Sequence, residues 1–170
     1  MVQSPAGSHR ADAPASVRCF ILTVSDTRTA ANDTSGDAIA AMLAAAGHTV
    51  AGRKMVKDDA RAIRDAVSYA AKSGSNDAVI TTGGTGISLR DVTPDALAPL
   101  FERTLDGFGE LFRMLSYEQV GSASLMSRAT AGVLGRTVIF ALPGSENAVR
   151  LAMEKLILPE VGHIVRELRK

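Results

Sequence analysis

The sequence predicts an α/β domain, a mostly parallel β-sheet covered by helices on both faces. Three observations carry that prediction. Short apolar runs rich in β-branched residues recur at 17–24 (VRCFILTV), 77–82 (DAVITT) and 137–142 (TVIFAL), the pattern of strands buried on both faces. Between them apolar residues return at i, i+3, i+4 and i+7, the stripe of an amphipathic helix. Strand and helix patterns alternate along the chain, as crossover connections between parallel strands require.

In chain order, 17–24 is the first strand. Asp33, Thr34 and Ser35 then offer N-caps for a helix carrying Ile39, Met42, Leu43 and Ala46, and Gly47 stands where a C′ glycine belongs. The run 49–56 is a weaker strand, interrupted by Gly52 and two basic residues, and so is placed near a sheet edge. Ile63, Ala66, Val67 and Ala70 mark a second helix that Gly74 ends. After the strand 77–82 comes a glycine loop. Thr93-Pro94-Asp95 then reads as a helix start, with Thr as cap, Pro at N1 and an acid in the first turn. Phe108, Leu111, Phe112 and Leu115 give the next helical stripe. The strand 137–142 follows, then a helix through Val149, Ala152, Met153 and Leu156, which Pro159 is expected to separate from a short last helix.

Composition narrows the function. The 170 residues are 46% apolar and 22% charged, with 19 Lys and Arg against 18 Asp and Glu. That balance advertises no nucleic-acid partner, and aromatics at 4% provide few stacking platforms for single strands. The longest uncharged apolar stretch, 38–47, falls short of the roughly 20 residues a bilayer demands, so no membrane span is expected. Cys19 is the only cysteine, which excludes an internal disulfide and fits a reducing, cytoplasmic setting. Residues 1–16, rich in Ala, Ser, Pro and Gly without apolar periodicity, are expected to be a flexible tail. They lack the apolar core of a secretory signal. Residues 17–170 are expected to form a single domain.

In open parallel sheets ligands bind beyond the carboxyl ends of the strands. The residues at those four exits are Ser25-Asp26-Thr27, Lys57-Asp58-Asp59, Thr82-Gly83-Gly84-Thr85-Gly86 followed by Asp91-Val92-Thr93-Pro94, and Pro143-Gly144-Ser145. A loop with three glycines in four residues turns tightly and exposes N–H groups that hold anions. It equally suits a bare strand-to-helix turn. No Gly-Lys-Ser/Thr follows, so it is not a P-loop, and Leu89 stands where the dinucleotide fingerprint needs its third glycine. Asp58 and Asp91 leave different strands at the same sheet edge, where two carboxylates suit one Mg²⁺ on a phosphate chain. Taken singly, Asp58 or Asp59 also reads as a helix cap and Asp91 as a turn acid. Arg128 fits an anion contact, a surface charge or an intersubunit contact.

The motifs TTGGTG at 81–86, DVTP at 91–94, GFGE at 107–110, LSYE at 115–118 and LPGS at 142–145 together resemble the MoaB/MogA family of molybdenum cofactor biosynthesis proteins. That family is similar to the pterin-binding G domain of gephyrin. The stretch 112–118 with Ser127-Arg128-Ala129 is most like the MoaB branch. The resemblance runs from about residue 17 to beyond Pro159. It implies a three-layer α/β/α molybdopterin-binding fold and a homo-oligomer, a trimer or a hexamer of two trimers, with other proteins of the pathway as further partners. It implies Mg-ATP-dependent adenylation of molybdopterin, with Asp58 and Asp91 as catalytic acids and Mg²⁺ ligands. Thr82, Gly83, Gly84, Thr85 and Gly86 would bind the pterin substrate and its phosphate, and Ser25, Asp26, Pro143, Gly144 and Ser145 would line the same pocket. The competing class is a family member that holds the pterin or a protein partner without catalysing transfer. The intact Asp58 and Asp91 pair favours the enzyme.

Overall fold

The β-branched runs become the centre of one sheet. A computed structural model describes residues 14–170; the expected tail lies almost wholly outside them. Among the described residues six strands form a single sheet in the order β2-β1-β3-β6-β5-β4. These are β1 (Arg18–Val24), β2 (Thr49–Val56), β3 (Ala78–Thr82), β4 (Arg103–Thr104), β5 (Thr130–Leu134) and β6 (Thr137–Leu142). β1, β2, β3 and β6 run parallel, while β4 and β5 pair antiparallel. β2 lies at the sheet edge its broken pattern predicts.

The helices are α1 (Thr34–Ala45), α2 (Ala60–Lys72), α3 (Thr93–Leu97), α4 (Asp106–Val120), α5 (Glu146–Ala152) and α6 (Leu158–Arg169). Ile39 and Leu43 of α1, Phe108 and Phe112 of α4, Val149 of α5 and Val161 and Val165 of α6 pack on one face of the sheet against Ile21, Ile80 and Phe140. Ile63 and Val67 of α2 and Leu97 of α3 pack on the other, against Leu22, Val79 and Ile139. The three-layer arrangement follows from strands that are apolar on both sides. Cys19 is fully buried in this core, and burial pushes its thiol up to about 12, so it is inert.

Three elements depart from the sequence reading. The antiparallel pair β4 and β5 has no strong local signal: β4 is two residues long, and β5 carries Gly132, on which the Phe101 ring lies directly. Leu111, read as part of a buried stripe, is 46% exposed, because α4 turns only Phe108, Gly109, Phe112 and Ser116 fully inward. Pro159 does not separate two helices. A wide π turn over Met153–Ile157 joins α5 to a full-length α6, and the looser turn accommodates a residue that lacks an N–H and crowds the preceding carbonyls.

Candidate active site

The carboxyl ends of β1, β2, β3 and β6 open into a cavity of about 390 Å³. Ser25, Asp26, Asp58, Thr82, Gly83, Gly84, Thr85, Gly86, Asp91, Pro143 and Gly144, all expected at the site, line it together. Ser145 is the exception. It caps α5, its Oγ accepting from the Ala148 N–H at 3.4 Å.

The glycine loop has its shape for steric reasons. Gly83 adopts φ +109° with its α-carbon against the Val24 carbonyl, where a Cβ would stand 2.0 Å from that oxygen. Gly84 adopts φ +64°, and a Cβ there would meet Thr93 Oγ1 at 2.5 Å and Asp58 Oδ1 at 2.9 Å. Only glycine fits both demands. The loop is tied down from outside: Gly83 N–H donates to Leu142 O, Thr93 N–H to Gly84 O and Arg128 N–H to Thr85 O. Thr82 Oγ1 donates to Pro143 O at 2.9 Å, and Thr93 Oγ1 to Gly83 O at 2.9 Å. Thr93 is therefore the first residue of α3 and a clamp on the loop, not its cap. The cap position belongs to Val92, which supplies no side-chain bond. The N–H groups of Gly84, Thr85 and Gly86 donate to no acceptor among the described residues. Consecutive unpaired donors on a left-handed turn make an anion-binding concavity.

Facing this cradle are three carboxylates. Asp59 caps α2, accepting from Ala62 N–H at 2.7 Å, which leaves its neighbour Asp58 to the cavity. Asp26 Oδ1 accepts from the Asp58 N–H at 3.3 Å. Asp91 Oδ2 accepts from Ser88 N–H at 2.8 Å and lies over Gly86. Burial first, and then the charges of Asp26 and Asp91, hold the Asp58 carboxyl above the usual carboxylate range, partly offset by the main chain of Asp26 and by the charge of Arg90. Like charges raise one another's pKa when they share a site, and a cation relieves them. Among the described residues no three His, Cys, Asp or Glu side chains form a ready-made metal cage. Two mutually repelling carboxylates suit instead a hard ion that keeps waters and takes its remaining oxygens from phosphate.

The sequence reading missed two cations of the lining, Arg28 and Arg90. Arg28 is held by Ser35 Oγ at 2.8 Å and Gly144 O at 2.7 Å, and its charge lies 3.6 Å from Asp33. It thus ties the loop after β1 to the loop after β6. Both arginines stand within two residues of an expected site acid, and that proximity is the signal that finds them.

Residues 20–163 match the family model described as a probable molybdopterin binding domain. The chain is 53% identical over 163 residues to molybdenum cofactor biosynthesis protein B of Bacillus subtilis, covering 95% of this chain and 96% of that protein. It superposes on a crystal structure of a molybdenum cofactor biosynthesis protein B with TM-score 0.90 at 52% identity, covering 93% of this chain and 99% of the other. The tungsten cofactor synthesizing protein MoaB from Pyrococcus furiosus superposes with TM-score 0.83 at 42% identity, covering 93% of this chain and all of the other.

Proposed function

The chain belongs to the molybdopterin-binding MoaB/MogA family of molybdenum cofactor biosynthesis proteins, and from that premise we propose that it adenylates molybdopterin with Mg-ATP. The observation that carries this reading is the cavity itself, where three unpaired backbone N–H groups face three carboxylates across one sheet edge.

In this reaction a terminal phosphate oxygen of molybdopterin attacks the α-phosphorus of ATP. The new P–O bond forms as the bond to the β-phosphate oxygen breaks, and pyrophosphate leaves. The nucleophile is already an anion, so the protein needs no strong base. It supplies alignment and charge compensation. The N–H groups of Gly84, Thr85 and Gly86 hold the attacking phosphate. Asp58 and Asp91 hold Mg²⁺, which when bound neutralises charge on the phosphate chain. Asp26 keeps Asp58 turned to the cavity, Arg28 fixes the loop of Pro143 and Gly144 as the opposite wall, and Ser25 borders the same cavity.

The proposal includes a homo-oligomer, a trimer or a hexamer, in the cytoplasm. α4 and the turn after it leave Leu111, Met114, Tyr117, Val120, Leu125 and Met126 between 46% and 80% exposed, apolar side chains that a subunit contact would cover. No helix among the described residues is long and apolar enough to cross a membrane.

The test mixes the purified protein with molybdopterin, ATP and Mg²⁺ and follows pyrophosphate and adenylyl-molybdopterin, with Asp58→Ala and Asp91→Ala alongside. Product that depends on both acids supports the transferase. Tight molybdopterin binding with no product makes the protein a carrier.

A further inference from the structure

Arg128 sits between the 3₁₀ turn Gly121–Met126 and β5, behind the cavity wall. Its bonds all go to the segment that carries Asp91. The main-chain N–H donates to Thr85 O at 2.8 Å. Nε donates to Gly86 O at 2.8 Å, Nη2 to Asp91 O, and Nη1 to the two Asp95 carboxylate oxygens at 2.9 and 3.1 Å. The guanidinium therefore joins both stems of the turn at 86–91, and Asp95 balances its charge.

Thr93 clamps the stems one step further out, through Gly84 O and Gly83 O, but the turn itself has little else to hold it. Ile87 is 68% exposed and Leu89 fully so, so no apolar side chain anchors it to the core. Its remaining bonds are internal: Asp91 N–H to Ser88 O, Ser88 N–H to Asp91 Oδ2, and Arg90 N–H to Ser88 Oγ. They fix the shape of the turn without fixing where it stands over the cavity.

We propose that Arg128 is a positioning residue for Asp91, closing the neck of the 86–91 turn and so setting where the Asp91 carboxylate stands against Gly86 and the phosphate cradle. The planar fork of a guanidinium spans two carbonyls at a fixed separation, which a lysine ammonium does not reproduce. With its donors committed to Gly86, Asp91 and Asp95, the side chain is not an anchor for substrate. The catalytic part of the inference rests on the adenylation reading; the placement of the turn does not.

The experiment compares the full chain with Arg128→Met and Arg128→Lys by hydrogen exchange of the 86–92 amides, thermal melting, and separate kcat and KM for molybdopterin. In Arg128→Met, exchange at 86–92 accelerates about tenfold or more, the factor set by losing hydrogen bonds to a charged group, while the sheet amides keep their rates. The same variant loses about tenfold or more in kcat while KM changes less than about threefold, since the substrate cradle keeps its own ties. Arg128→Lys falls between, and carries the same exchange test if Arg128→Met does not fold. Unchanged exchange at 86–92 overturns the inference. So does a raised KM with unchanged kcat, which would make Arg128 a substrate anchor. If the wild-type chain transfers no adenylate, that failure belongs to the adenylation reading, and the exchange result alone decides the placement of the turn.

Discussion

Replacing Gly86 by alanine moves the Asp91 carboxylate and very little else. A Cβ built at Gly86 falls 2.8 Å from Asp91 Oδ2 and 3.3 Å from its carboxyl carbon. Ordinary contact begins near 3.4 Å, so the oxygen must retreat by about 0.6 Å. The Ser88 N–H to Oδ2 bond, now 2.8 Å, then stretches by up to the same amount, to at most about 3.4 Å, beyond the normal range. The backbone itself does not object, because Gly86 is not among the residues with positive φ. Stability therefore changes little: a weakened hydrogen bond to a charged group, of order 1 kcal/mol, is set against the stiffening of the unfolded chain by alanine, about 0.4–1 kcal/mol. Catalysis is less forgiving. A 1 Å misplacement costs about a hundredfold in rate, so a retreat of 0.6 Å should lower kcat by roughly tenfold or more. The assay is pyrophosphate release at saturating molybdopterin and Mg-ATP, with a melting curve and molybdopterin affinity on the same preparations. A Gly86→Ala protein that melts like the wild type and turns over at the wild-type rate would refute the assignment of Asp91 to the reaction.

Three further expectations follow from the same structure. Burial raises the pKa of Asp77, but the bonds from Arg18 and Arg169 outweigh it and bring the carboxyl down to about 2 from 3.8. This stability is fully present above pH 3.8 and is lost as pH falls through about 2; with both arginines half exposed it amounts to about 1–2 kcal/mol. Urea unfolding of Asp77→Asn should accordingly show a deficit at neutral pH that closes in acid, and a pH-independent deficit would contradict the ion pairs. Asp58, whose pKa is raised in the folded chain, destabilises it above that raised pKa. Asp58→Asn should melt higher than the wild type at neutral pH, with the gain vanishing as pH drops below the ordinary 3.8, and a lower melting point at neutral pH would count against the crowded carboxylates. Ser145→Ala should lose about 1 kcal/mol of stability with the loss of the α5 cap, with molybdopterin affinity unchanged; a weakened affinity would show that Ser145 contacts substrate as well as capping the helix.

Local chemistry in the sequence determined the central strands, the helices between them and the sheet edge on which the candidate site lies. The physical reason is range. Periodicity, caps and turn glycines act over a few residues, so Asp33 and Asp59 before their helices and Gly47 and Gly74 after them are legible without a fold. The glycine loop and the acids Asp58 and Asp91 stood out because parallel strands deliver their exits to one side. What the sequence left open is decided by contacts between distant segments. Only the structure assigns Asp59 to the cap and Asp58 to the cavity, takes Thr93 from capping to clamping Gly83, and shows Ser145 capping α5. Only the structure pairs β4 with β5, whose partners meet across the sheet and not within a local pattern. Arg128 is the limiting case. Its acceptor at Gly86 lies 42 residues away, a separation at which no spacing rule in a single chain reports contact, and the tertiary fold alone brings the guanidinium to the neck of the turn.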